Sequence, residues 1–78
     1  MNKPTYSPHA LVRMIERGIS RSDVYAALYT GTHKKGEHGA RVAHKRMDHG
    51  VVLRVVYRGP QTNRKVETAY YKKYDADY

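Results

Sequence analysis

A chain of 78 residues without cysteine makes one small domain and excludes disulfides and thiolate-metal sites. Its 15 Lys and Arg against 7 Asp and Glu give a net charge of +8, which points to a polyanionic partner, RNA first, and fits poorly with two-metal chemistry built on clustered carboxylates. No apolar run approaches the roughly 20 residues of a membrane span, and no signal peptide is expected behind Met1-Asn2-Lys3-Pro4.

In chain order, residues 1–6 read as a loose lead-in. Ser7-Pro8 then starts a helix over residues 7–17: Ser7 can cap free N–H groups, and Pro8 at the first helical position has no N–H to lose. Leu11, Met14 and Ile15 give it an apolar face, and Gly18 suits a left-handed cap. A second helix over residues 20–30 opens on Ser20-Arg21-Ser22-Asp23, a capping box with Asp in place of Glu or Gln. Ile19 and Val24 stand where a hydrophobic staple would be. Its buried stripe is Val24, Ala27 and Leu28, and Gly31 closes it.

The run from Thr32 to Gly39 has no apolar period and reads as a loop. Strands follow at residues 40–47, 51–58 and 65–72, with short turns at residues 48–50 and 59–63, and the tail from Tyr74 to Tyr78 is expected to fray. Short turns favour an antiparallel meander, so the expected fold is α+β: two N-terminal helices packed on a three- to four-stranded antiparallel sheet, one domain over residues 1–78. In the middle strand Val51, Leu53, Val55 and Tyr57 suit the helix-packed side. Val52, Arg54, Val56 and Arg58 suit an open face that meets a charged ligand.

Several patterns carry chemistry. His9, Arg13 and Arg17 recur at i, i+4 and i+8, which aligns them on one side of the first helix. An imidazole beside two guanidiniums is a phosphate-handling combination, although every amphipathic helix also needs a solvated face. Of His33, His38, His44 and His49, none has HExxH spacing, and zinc is not expected. His44, beside Lys45 and Arg46, is the best candidate among them for a general acid or base. Thr68 and Tyr70 share a strand face and can orient a phosphate or ribose, though both are also ordinary strand formers. Lys45, Arg46, Arg54, Arg58 and Lys72 are the candidate nucleic-acid contacts, and some of the 8 Tyr residues are candidate stacking platforms in a chain without Phe or Trp.

The stretch Ser7-Pro8-His9-Ala10, Arg13-Met14, Glu16-Arg17-Gly18-Ile19-Ser20, Asp23-Val24 and Ala27-Leu28, followed by Val66-x-Thr68-x-Tyr70, resembles the DUF4258 family of small bacterial domains of unknown function, over about residues 6–71. That family looks similar to the barnase, colicin and RelE group of ribonuclease toxins. The resemblance implies helices against an antiparallel sheet, and metal-independent RNA cleavage by the ribose 2′-hydroxyl that leaves a 2′,3′-cyclic phosphate. His9, Arg13, Arg17 and Thr68 match positions of the family pattern.

The reading that follows is a metal-independent endoribonuclease toxin domain acting on tRNA or mRNA in the cytoplasm, without cofactor. His9 or His44 acts as acid or base, Arg13 and Arg17 steady the charge, and Thr68 and Tyr70 position the substrate. An acidic antitoxin or immunity protein would be its protein partner. The alternatives are a non-catalytic RNA- or DNA-binding module and a small basic protein that recognises an acidic partner.

Overall fold

The computed structural model describes residues 3–73. The expected fraying of the tail and the side chain of His49 lie outside the described residues. The element order is β1 (Thr5–Tyr6), α1 (Pro8–Arg17), α2 (Arg21–Thr30), β2 (Thr32–Lys35), β3 (Arg41–Arg46), a 3₁₀ turn (Asp48–Gly50), β4 (Val51–Arg58) and β5 (Lys65–Lys73).

The helix ends follow the local chemistry closely. Ser7 Oγ accepts from the Ala10 N–H at 3.0 Å, and Pro8 occupies the first turn. At the other end Gly18 has φ 66°, a left-handed conformation that favours glycine. Gly18 N–H donates to Ile15 O and Ile19 N–H to Met14 O, which is the Schellman arrangement. It turns Ile19 back onto Met14, and both are buried. Ser20 Oγ accepts from the Asp23 N–H at 3.0 Å, and Ile19 and Val24 join one core cluster, as a staple requires.

The sheet has five strands in the order β1-β5-β4-β3-β2 and is mixed, because β1 runs parallel to β5 while the other pairings are antiparallel. The expectation of three to four antiparallel strands therefore falls short at both edges. β1 is only two residues long, paired through Thr5 N–H to Arg64 O and Ser7 N–H to Val66 O, both at 3.0 Å. β2 replaces the first half of the expected loop. Its sequence, Thr-His-Lys-Lys, has no apolar alternation to announce a strand; backbone pairing to β3 holds it, and its charges suit an exposed edge. The three central strands lie within a residue or so of the expected bounds.

Both helices lie on one side of the sheet, α1 over β5 and α2 over β3 and β4. The core joins Ala10, Met14, Ile19, Val24, Ala27 and Leu28 of the helical layer to Ala43, Leu53, Val55, Tyr57, Val66 and Ala69 of the sheet. A fully buried Val or Leu contributes about 1.5–3 kcal/mol, so this layer supplies most of the apolar driving force. The rotation of α1 departs from expectation. Its buried row is Ala10 and Met14, while Ile15 is 81% exposed. Apolar residues at positions 10, 11, 12, 14 and 15 wrap too far around the helix for periodicity to choose a side. Small Ala10 and the Met14–Ile19 turn choose it.

Candidate nucleic-acid interface on the open sheet face

Residues directly opposite each other on neighbouring strands point to the same face, about 4.5–5.5 Å apart between Cα atoms. The register pairs Thr32 with His44, His44 with Arg54, and Arg54 with Tyr70. These four residues form one row across four strands. Their neighbours Ala43, Val55 and Ala69 face the helices, so the row faces the other way. The next row is Lys34, Val42, Val56 and Thr68, and beyond the first row lies Arg46, Val52 and Lys72. An imidazole, a guanidinium, a phenol and a threonine hydroxyl thus stand side by side on one face, flanked by rows that carry apolar Val42, Val52 and Val56 and cationic Lys34, Arg46 and Lys72.

A β-bulge completes this face. Val56 pairs with Thr68 but Tyr57 pairs with Val66, so Glu67 is an extra residue in β5. The Arg58 Nε–H donates to both Glu67 carboxylate oxygens at 2.9 and 3.0 Å, and Arg58 Nη1 donates to His38 O at 2.6 Å. This clamp ties the tip of the β2–β3 hairpin to β5. The result is a cleft of about 590 Å³ whose lining includes His38, Val42, Arg54, Val56 and Tyr70. A second hollow of about 420 Å³ contains Thr32, Lys34, His44, Arg46 and Val52.

His44 is the most buried polar side chain here, at 8% exposure. Burial pushes its pKa below the ordinary imidazole range, and the nearby Lys34, Arg54 and His33 push the same way. It is therefore held neutral, the form a general base requires. The Arg54 guanidinium lies 5.7 Å from the centre of the Tyr70 ring, a cation–π contact that aligns both groups. Gly31 fixes the height of α2 over this strand: a Cβ there would collide with the carbonyls of Ala27 and His44. Among the described residues no three His, Asp or Glu side chains gather to hold a metal ion.

The candidate residues separate into three groups. His44, Arg54, Thr68 and Tyr70 come together, with Arg46 and Lys72 at the rim. Arg58 and Lys45 are held in structural ties: Arg58 in its clamp, and Lys45 through Nζ donating to Thr30 Oγ1 at 2.8 Å, from β3 to the end of α2. His9, Arg13 and Arg17 belong to the helical layer. His9 is exposed, Arg13 pairs with Glu16 at 3.2 Å, and Arg17 Nη1 donates to Ala69 O at 2.9 Å. None of these three lines either hollow of the His44 face. Their spacing does not place all three on one solvated side: Arg17 follows Ala10 and Met14 at i+7 and i+3, so its guanidinium reaches the sheet.

Lys34 and Thr32 escaped the sequence reading because their segment looked like a loop. The alternation of Thr32 and Lys34 against His33 and Lys35 was the available signal, but it lacks hydrophobic contrast.

No curated protein and no solved structure matches the chain. The family model described as "Domain of unknown function (DUF4258)" matches residues 6–71, from β1 through most of β5, and the chain belongs to that family.

Proposed function

We propose that the protein is a metal-independent endoribonuclease, acting as a toxin domain, with the His44–Arg54–Tyr70 row as its catalytic centre. The observation that carries this reading is the register alignment of a buried imidazole with a guanidinium and a phenol on one face of the sheet. In this reading His44 takes the proton from a ribose 2′-hydroxyl as that oxygen attacks phosphorus. Arg54 and Lys34 neutralise the charge that builds on the phosphoryl oxygens. Tyr70 delivers its proton to the departing 5′-oxygen, and the products are a 2′,3′-cyclic phosphate and a 5′-hydroxyl. Val42 and Val56 supply an apolar floor for a base, and Thr68, Arg46 and Lys72 hold the flanking backbone. His9 and Arg13 have no part in the chemical step. The likeness to the barnase, colicin and RelE group remains part of this proposal, as does an acidic inhibitor steered by the same positive field.

The test uses purified protein, total RNA and excess EDTA. Cleavage is expected, with cyclic phosphate ends, and no cleavage of a strand carrying 2′-deoxyribose. Intact RNA at high protein concentration overturns the reading. Saturable RNA binding with steep salt dependence and no cleavage would instead establish the second reading, a non-catalytic RNA-binding module, which the apolar floor rimmed by cations also fits.

A further inference from the structure

A separate cluster lies on the helix-facing side of the sheet, at the end marked by the β4–β5 turn. Arg64 sits between two tyrosine rings, 5.1 Å from the centre of Tyr29 and 5.2 Å from that of Tyr57. Its Nη1 donates to Leu28 O at 2.9 Å. His33 Nε2 lies 3.0 Å from the same carbonyl, and Nδ1 lies 2.5 Å from the Tyr57 hydroxyl. A carbonyl only accepts, so Nε2 carries the proton, and in the neutral ring Nδ1 accepts from Tyr57. These groups border a hollow of about 240 Å³, completed by Arg41, Gln61 and the Gly59–Pro60 turn. No carboxylate lines it, and among the described residues neither Arg41 nor Arg64 is in an ion pair.

We propose that this hollow is an anion site that takes a phosphate group between the Arg41 and Arg64 guanidiniums. Its volume falls below the roughly 300–1,000 Å³ of pockets for drug-sized ligands and suits a single compact anion. Arg41 can offer its planar fork of donors to phosphate oxygens, and Arg64, with Nη1 already given to Leu28 O, adds its remaining N–H groups and its charge. Stacking holds Arg64 in place before any ligand arrives, which lowers the ordering cost of binding. The neighbouring His33 and Tyr57 add a responsive pair. When an anion favours protonation of His33, Nδ1–H donates to the Tyr57 oxygen, and the phenolic proton turns toward the ligand. The positive charges of Arg64 and Arg41 now hold the His33 pKa down along with burial, and a bound anion offsets them. This site stands on the opposite side of the sheet from the His44 row and does not depend on its role.

The experiment follows the His33 ring and Gln61 amide resonances of the whole chain by NMR. Inorganic phosphate at constant ionic strength is expected to shift them saturably and move His33 toward the protonated form. Arg41→Gln should weaken this binding about tenfold, the usual effect of losing one charge-assisted hydrogen bond, without changing the melting temperature. Arg13→Ala, on the exposed side of the first helix, should leave it unaltered. A short DNA strand with a 5′-phosphate distinguishes the source. Tighter binding than inorganic phosphate, lost with a 5′-hydroxyl, marks a strand end as the ligand; equal binding marks free phosphate. Shifts no larger than chloride produces, or equal affinity in Arg41→Gln, overturn the proposal.

Discussion

The two faces of the central sheet are built from alternate residues of the same strands and obey different rules. On the helix-covered face Ala43, Leu53, Val55 and Ala69 are fully buried and carry no polar side-chain atom. On the other face His44, Arg54 and Tyr70 occupy the next positions along the same strands, beside Val42 and Val52, which are also buried. The open face is nonetheless less completely covered, with Arg54, Val56, Thr68 and Tyr70 only partly buried. What differs is the cover: apolar helices on one side, long cationic side chains and a clamped hairpin on the other. A buried imidazole among cations is costly for stability, and the first face offsets that cost.

The comparison is sharpest where one substitution is made on each face. His44→Ala is expected to lower RNA cleavage by about 10²–10⁴-fold, the usual effect of removing a positioned acid or base, while the melting curve stays nearly in place. Arg54→Ala should lower it by about 10²–10³-fold. Initial rates on a defined RNA measure both, and full activity in His44→Ala would remove the row from the mechanism. Leu53→Ala, one strand position from Arg54, should do the reverse. It costs about 2–5 kcal/mol in urea titration, much of the roughly 3–5 kcal/mol available to a domain of this size.

A smaller effect is expected where the two faces meet. Gly31→Ala places a methyl group against two backbone carbonyls, so α2 must lift from β3. The expected cost is about 1–3 kcal/mol, read from denaturant midpoints. An unchanged midpoint would mean that the end of α2 is free to move.

Acid should also weaken the fold. His33 and His44 are both held below the ordinary value of about 6.5, chiefly by burial. Below that pH the unfolded chain takes up protons that the folded chain resists. Their contribution is therefore fully present above about pH 6.5 and is lost as the pH falls beneath it. Melting temperatures should drop on acidification, and the double variant His33→Gln, His44→Gln should flatten that dependence. The smallest effect belongs to the outer layer. Arg13 pairs with Glu16 across an exposed i, i+3 step, so Arg13→Ala should shift stability by no more than about 0.5 kcal/mol and leave cleavage unaltered.

Local chemistry explains what was legible in the chain. Ser7-Pro8, Gly18, Ser20 and the Ile19–Val24 staple each act within a few residues, so both helices could be placed from sequence. The β-branched run of β4 likewise announced its strand and its buried side. His44, Arg54, Thr68 and Tyr70 could be named one at a time, yet nothing in their spacing says that they meet, because β-pairing across turns decides it.

The residue order by itself determined two capped helices, three central strands, the helix-facing side of β4 and a large positive charge, since each rests on short-range sterics, alternation or composition. Only the tertiary structure decided the rest. Pairing through the backbone made strands of Thr5–Tyr6 and Thr32–Lys35, whose side chains carry no pattern to read. Packing of Ala10 and Met14 on β5 set the rotation of α1 and drew Arg17 onto Ala69. Register, a relation between distant segments, aligned His44 with Arg54 and Tyr70.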